Sequence, residues 1–527
     1  MYDLVISGAK VLDGSGEPAQ AADVGVSDGR IAVVTSRPGL LSKDGAAEWV
    51  AAAGLTLAPG FIDVHSHADV ALLADSAGGH KLRQGVTTEV FSNCGLGFAP
   101  VTDAGMAAMR AAFGGLFSQD DGVTWKWRTV AQYLHALEEH GIGTNVAYLA
   151  PHGAIRASAM GMSARPASRR ELAKMQGMLE SALTEGAIGL STGPGYAPMS
   201  HAEPAELIAL ARQAGFVAIH QRNYREDLLA CTAQTAELAA ISGARLQLSH
   251  LQTSGEAARG LGPDAIRVLD DARRRGVDIA CDMYPYTAGS TVLQAILPDW
   301  VTDGGAETTL RRLSDPACVP RIVAALTALD RHWPSMVLIS AENPRNRRYV
   351  GCTFPEIAEA RGRSVAETVC SILLEEELRA CYVVHHMEEQ DLDAILSWPD
   401  TMIGSDGLHL RGAAHPRVAG TFARWIGPFV RDRRLVSLPE AVRRVTALPA
   451  ARLGLDGRGR IAPGYWADLV LFDARSVSDR ATFDDPLRSP EGIPFVWVNG
   501  SAAARPGGAA CPRNGKVLRS GAPKSAP

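Results

Sequence analysis

The sequence predicts an α/β fold: a (β/α)8 TIM-like barrel joined to a small β-sandwich domain formed by both chain ends. Three observations carry that expectation. Eight short apolar stretches recur between Phe61 and Asp406, separated by segments of helical periodicity, as in repeated βα units around a parallel sheet. Strand-like pieces divided by Asp-Gly and Pro-Gly turns occupy both ends of the chain. The length of 527 residues exceeds one small module, since single cores stop growing at roughly 250–300 residues.

Taken in order, residues 1–58 alternate as DLVISGAKVLD, DVGVSDGRIAVV and LTLAPG, short strands of antiparallel sheet. The barrel strands follow as FIDVHSH (61–67), VTTEVFSN (86–93), NVAYLAP (145–151), AIGLSTG (187–193), FVAIHQ (216–221), RLQLSHL (245–251), VDIACDMYP (277–285) and TMIGSD (401–406). Ser168 and Glu171 form a capping box ahead of Leu172, Met175, Leu179 and Leu183, which share one helix face. Pro263 opens the helix DAIRVLDDARRR and Gly276 closes it. Over a hundred residues separate strands seven and eight, far more than a crossover needs. Residues 287–400 are therefore expected to include an inserted lid, with helices at LRRL, VPRIVAAL and SVAETVCSILL, besides the seventh barrel helix. The barrel is expected over 59–454, the small β domain over 1–58 plus 455–519, and a flexible tail over 520–527.

Composition removes several classes of function. A chain 46% hydrophobic and 21% charged is not disordered. Lys+Arg 52 against Asp+Glu 57 leaves a net charge of −5, which does not suggest a nucleic-acid partner. The eight cysteines lack paired spacing, so neither a disulfide framework nor a CxxC zinc site is read. MYDLVISGAKVLDG has no basic n-region, and no apolar run approaches the roughly 20 residues of a membrane helix. A cytoplasmic protein is expected, with no membrane partner. No feature of the sequence speaks to its oligomeric state.

The chemistry gathers at one predicted face. His65 and His67 end strand one two residues apart, so both imidazoles point to the same side. Cys94 follows strand two, His220 ends strand five, His250 ends strand six and Asp406 ends strand eight. Catalysis in such barrels occurs at the C-terminal ends of the strands. One histidine there is ordinarily a hydrogen-bonded rim residue. Four of the chain's 14 histidines with a cysteine and a carboxylate on one face are not scattered at random. Thiolate, imidazole and carboxylate together suit Zn²⁺.

The ordered set APGFIDVHSHAD, GVTTEVFSNCG, GLSTGPGY, two lone strand-end histidines, DMYPYTAGST and GSDG…HPR resembles the amidohydrolase superfamily, and within it the N-acyl-D-amino-acid deacylases. The similarity runs to WADLVLFD and covers nearly the whole chain. The resemblance implies a tight zinc site at Cys94, His220 and His250, and a second, weaker site at His65 and His67, with Cys94 able to bridge. It implies Asp406 as catalytic acid and base. Strands three and four contain no lysine for a carbamate bridge, which disfavours the hydantoinase and dihydroorotase branches. In such a site zinc lowers the pKa of its water toward roughly 7, and Asp406 takes a proton and returns it to the leaving amine.

Substrate contacts are expected from Arg417 in HPR, able to grip a carboxylate at two points, and from Tyr284 and Ser290. Tyr196 is placed to stabilise the oxyanion. Acid-preferring relatives carry a lysine two residues after the sixth-strand histidine. Here that position is Gln252, so neutral, hydrophobic or aromatic side chains are expected. The small-molecule partner implied is an N-acyl-D-amino acid. A related amidohydrolase acting on dipeptides with a D-residue or on a cyclic amide, and a non-enzymatic metal-binding scaffold, are the alternatives. His385 and His386 are expected to cap or solvate an acidic helix, and His152 to lie near the rim.

Overall fold

The computed structural model describes residues 1–74, 79–329, 331–410, 414–508 and 513–519. Cys511 and the expected 520–527 tail lie outside the described residues. All eight barrel strands form, each shorter than the apolar run that announces it. Strand one covers Phe61–Asp63 and Ser66–His67, strand two Val86–Phe91, strand three Asn145–Tyr148 and Ala150–Pro151, and strand four Leu190–Thr192. Strands five to eight are Phe216–Ile219, Arg245–Leu248, Ile279–Met283 and Thr401–Ile403 with Gly407–Leu408. Every neighbouring pair is parallel, from Ile62 opposite Thr88 through Cys281 opposite Thr401. The ring closes where Gly407 faces Ser66 and the Asp406 amide donates to the His65 carbonyl at 2.7 Å.

The expected punctuation is in place. Ser168 Oγ accepts from the Glu171 amide at 3.3 Å and Glu171 accepts from the Ser168 amide at 2.8 Å, opening the helix Arg169–Thr184. Met175 and Leu179 bury its inner face. Pro263 stands in the first turn of Gly262–Arg274, and Gly276, beyond its end, takes a φ of +87° that glycine alone adopts freely.

The insertion departs from an all-helical expectation. Ala288–Val292, Met336–Ser340 and Cys381–His385 pair as a three-stranded antiparallel sheet with the last of these in the middle. The helices Ala306–Ser314, Val319–Thr327 and Val365–Glu375 cover it, enclosing a separate core around Leu293, Leu338, Phe354 and Ile372. The seventh barrel helix, Glu389–Ser397, follows.

Both chain ends build one eight-stranded sheet. Its first strand, Tyr2–Val11, is bulged between Ile6 and Ala9, and Gly8 there has a φ of +74°. Before the bulge it pairs with Ala46–Ala51, and beyond it with Thr56–Pro59, so the sheet curls around a core of Leu4, Ile6, Leu57, Leu469 and Trp497. The final strand corrects the sequence grouping. Val517–Leu518, expected in the terminal β domain, pairs with barrel strand three, Val517 opposite Val146. Strand four pairs with strand three only from Ala150 onward, which leaves the earlier half an open edge for this segment.

Asp468 pins the sheet to the barrel. Its side chain is ion-paired with Arg458 and accepts from Asn145 of strand three at 3.2 Å, these three nearly out of water, and from the Asn499 amide at 2.8 Å. Asp468→Ala strands a buried guanidinium, so an unfolding free energy lower by about 3–5 kcal/mol is expected in urea denaturation.

Candidate active site

The barrel mouth collects its side chains from five strand ends. Alternation on strand one aims His65 and His67 the same way, and both are buried. Asp406 Oδ1 lies 3.4 Å from His65 Nε2 and 3.1 Å from His67 Nε2. Cys94 sits in a single 3₁₀ turn after strand two, with Sγ 3.3 Å from His65 Nε2 and 3.5 Å from His250 Nε2. His220 Nδ1 is 2.9 Å from His250 Nε2. Two sets of donors therefore surround points that a cation suits: His65, Cys94 and His250, and His65, His67 and Asp406. His65 belongs to both. His220 joins the first set through His250.

The spacing fits a tetrahedral ion. Bonds of about 2.0–2.3 Å to nitrogen and sulfur place ligand atoms roughly 3.5 Å apart, close to the separations around Cys94 Sγ. Three of these residues stand in left-handed backbone: Cys94 at φ +57°, His250 at +31° and Asp406 at +47°. Non-glycine residues hold such angles at a cost of order 1–3 kcal/mol, and they concentrate at functional sites.

Asp282 was not singled out from the sequence and organises much of this geometry. Its Oδ1 is 3.1 Å from His65 Nδ1 and accepts from the His250 amide at 2.9 Å, while Oδ2 accepts from Gln247. A carboxylate behind an imidazole fixes the tautomer and turns Nε2 toward the ligand position. Its only sequence signal was an acid on the inward side of strand seven.

A cavity of about 540 Å³ opens over these groups. Tyr196, Gln252, Tyr284 and Ser290 line it together with His220, His250 and Asp406. Tyr284 Oη donates to Gln252 Oε1 at 2.9 Å, and Tyr196 Oη is 3.0 Å from Thr291 Oγ1 of the insertion. Ser290 Oγ is buried with no partner among the described residues. Arg417 is fully buried, 3.0 Å from Asp406 Oδ2, 3.2 Å from the Ser290 carbonyl that accepts from it, and stacked 4.6 Å above the Tyr284 ring. In this structure the guanidinium expected to grip a substrate carboxylate is ion-paired with Asp406.

Similarity to known proteins is consistent with this geometry. Residues 48–503 match the amidohydrolase family. The chain is 35% identical to the D-aminoacylase of Alcaligenes xylosoxydans xylosoxydans over 95% of its own length and 94% of that protein. It is also 35% identical to that organism's N-acyl-D-glutamate deacylase, covering 98% and 96%. This chain belongs to the amidohydrolase family. A solved D-aminoacylase structure superposes on this family member with a TM-score of 0.84 at 32% identity, covering 98% of this chain and 100% of that one. The N-acyl-D-glutamate deacylase of Bordetella bronchiseptica, complexed with zinc and a phosphonate inhibitor, gives 0.83 at 32%, covering 98% and 99%.

One histidine of this amidohydrolase corrects the sequence expectations. His386 does not cap a solvated helix: it lines the cavity, with Nδ1 2.8 Å from Ser254 Oγ. Its place was not legible because it follows the insertion's middle strand, which meets the sixth-strand loop only in the folded chain. His152 lies under the rim, bonded to Thr192 and Glu206 at 2.9 Å each, and does not line the cavity.

Electrostatics follow from burial and neighbours. Burial alone favours the neutral carboxyl of Asp406, yet Arg417, His65 and the His67 hydrogen bond overcome it and hold the group well below the usual carboxylate range. Burial raises the Cys94 thiol, with His65 opposing. Burial also works against charge on His65, but Cys94, Asp282 and Asp406 lift it well above an ordinary histidine. Burial lowers His250 to about 4 and His415 well below the usual value. The geometry of His415 agrees: Nδ1 accepts from the Arg417 amide and Nε2 donates to the Ala288 carbonyl, both at 3.0 Å, a neutral tautomer.

For the depressed histidines the unfolded chain takes up protons first, so their contribution is present at neutral pH. It is lost as pH falls from about 6.5 toward 4. The raised His65 acts in a different window: its contribution is full below about 6.5 and is lost as pH rises above that. Metal-free protein is expected to lose about 1.4 kcal/mol per pH unit for each such group across that window, and His415→Gln to show a shallower slope in denaturant titrations at stepped pH.

Proposed function

We propose that this amidohydrolase cleaves the amide bond of N-acyl-D-amino acids, releasing a carboxylate and a free D-amino acid. The observation that carries the reading is the buried His65–Cys94–His250 set beside Asp406, under a cavity lined by Tyr196, Tyr284 and Ser290, with Arg417 buried against Asp406. The full-length similarity to D-aminoacylases supports the amide and its D configuration.

Cys94, His250 and His65, with His220 alongside, would hold zinc, and His67 with Asp406 a second ion. A D-aminoacylase structure described by one-metal activation and second-metal attenuation supports assigning the two positions different weight. Zinc held there supplies Lewis acidity toward water and toward the acyl carbonyl. Asp406, kept ionised by Arg417, takes a proton from the attacking water and returns it to the leaving nitrogen. Tyr284 Oη, Ser290 Oγ and Arg417 receive the α-carboxylate. The unpartnered Ser290 hydroxyl supports this, and Arg417 can hold Asp406 with one nitrogen and the substrate with another. Tyr196, 3.0 Å from Thr291, stands as oxyanion donor over the His220 ring. Gln252 offers no charge, so neutral side chains of the leucine and methionine kind fit better than a short acid.

A cytoplasmic location is part of the reading. It is supported by the seven described cysteines, all free thiols. Among the described residues no helix is long and apolar enough to cross a membrane.

Three experiments test the function. Amine release is expected from N-acetyl-D-leucine and not from N-acetyl-L-leucine, with N-acetyl-D-aspartate well below the D-leucine substrate; no turnover of any D substrate overturns the reading. Asp406→Asn is expected to lower kcat by about 10²–10⁴ while one tightly held zinc per chain remains by elemental analysis. Cys94→Ala is expected to lose that metal.

A further inference from the structure

The active-site cavity continues past Tyr196. A side pocket of about 50 Å³ shares Gly195, Tyr196 and Ala295 with it, so these residues form the neck between the two spaces. The Tyr196 ring stands in that neck, 6.1 Å from the Phe113 ring of the pocket and 4.7 Å from the His220 ring of the main cavity. The pocket walls come from three places. The helix Asp103–Phe113 contributes Ala112 and Phe113, the turn after the helix His152–Met160 contributes Met162, and the insertion contributes Val292, Leu297 and Ala306.

The polar residues of the wall spend their donors on the backbone. Gln294 Nε2 donates to the Ala112 carbonyl, Thr302 Oγ1 to the Asp299 carbonyl at 3.2 Å and Thr309 Oγ1 to the Gly305 carbonyl at 3.0 Å. A ligand therefore meets mainly methyl, thioether and aromatic surface. Among the described residues around the pocket the one charged side chain is Asp299, whose carboxylate disfavours a ligand ending in an acid.

The insertion's first strand shows which end of a substrate reaches the pocket. Ser290, placed at the α-carboxylate, lines the main cavity, and Val292, two residues on in Ala288–Val292, lines the pocket. Two residues of extended chain span roughly 6–7 Å. The distance from an α-carboxylate carbon to the methyl of an N-acetyl group is roughly 5 Å in an extended amide. An acetyl group thus stops at the neck, beside Tyr196, and a longer acyl chain continues inward. At roughly 10–15 Å³ for each atom the size of a water, a pocket of about 50 Å³ holds about four carbons.

We infer that the pocket beyond Tyr196 receives the acyl chain, and that the acyl group it suits is neutral, unbranched and about six carbons long. That length places the carbonyl over the metal-binding residues, the next carbon at the neck and the remainder in the pocket. The inference rests on the deacylase reading above and adds the class of acyl group to it. The D side chain is the other apolar part of the substrate and the competing occupant.

Two homologous series on zinc-loaded enzyme decide between them. One is N-acetyl-, N-butyryl-, N-hexanoyl- and N-decanoyl-D-leucine; the other is the N-acetyl derivatives of D-alanine, D-norvaline and D-norleucine. In the first, kcat/KM is expected to rise about threefold to fourfold per methylene up to hexanoyl and to rise no further at decanoyl. Ala306→Leu fills the pocket and is expected to flatten the acyl series, with N-acetyl-D-leucine and the side-chain series turned over as by the wild type. Met162→Trp, from a different wall, is expected to do the same, and takes over if Ala306→Leu loses the acetyl substrate as well. No gain from acetyl to hexanoyl, a gain that survives the filled pocket, or a filled pocket that depresses the longer D side chains instead, overturns the inference. No hydrolysis of any N-acyl-D-leucine would sink the deacylase reading, whereas turnover of N-acetyl-D-leucine with a flat acyl series would sink only the pocket.

Discussion

The seam between the first and last barrel strands is the contact on which the rest depends. Asp406 reaches His65 and His67 only because the chain returns, some 340 residues later, to hydrogen-bond along strand one. Beneath that seam lies a charged knot with no exposure to water. The Lys81 ammonium pairs with Asp63 and Ser405, and Glu89 stands 3.8 Å away. Asp63 accepts from the amides of Ser405 at 2.8 Å and His65 at 3.2 Å, while Ser405 Oγ donates to the His65 carbonyl. Such a knot adds little net stability over an apolar core, but its donors and acceptors fit in one arrangement only. That arrangement sets strand one against strand eight and so sets the distance between the histidines and the carboxylate.

The same seam explains the backbone strain above it. Asp406 and His250 turn into left-handed conformations directly after their strands, and Cys94 does so within its tight turn. A relaxed strand end would carry these side chains along the rim. The turn directs them over the barrel axis, and the buried bonds of Asp282 and Asp63 hold the surrounding chain while they do so. Asp406 is thereby buried beside cations that keep it ionised, while burial keeps the Cys94 thiol protonated.

Much of this was legible along the chain because the information is local. Short β-branched runs bounded by glycine mark the strands, and polar residues at their ends mark the mouth. His65 and His67 need only the two-residue period of a strand to be placed together. Asp282, Arg417 and His386 lie beyond that logic. Asp282 matters through an imidazole 217 positions away, Arg417 through the carboxylate it neutralises, and His386 through a loop 132 positions upstream. The insertion's strands, AGSTV, MVLIS and CYVVH, are five residues each, too short for period two to stand out among the helical segments around them.

The sheet woven from both ends has a consequence for synthesis. Strand Thr56–Pro59 emerges among the first residues yet takes its antiparallel neighbour from Leu469–Phe472, and barrel strand three completes its edge with Val517–Leu518. While the ribosome is still at work, the leading strands wait with open hydrogen-bonding edges for most of the elongation time. Long-range pairing of this kind is slow and exposes sticky surface. The nascent polypeptide therefore depends on whatever shields those edges in the cell, and yields of recombinant material should respond to chaperone supply and growth temperature more than to any single residue at the active site.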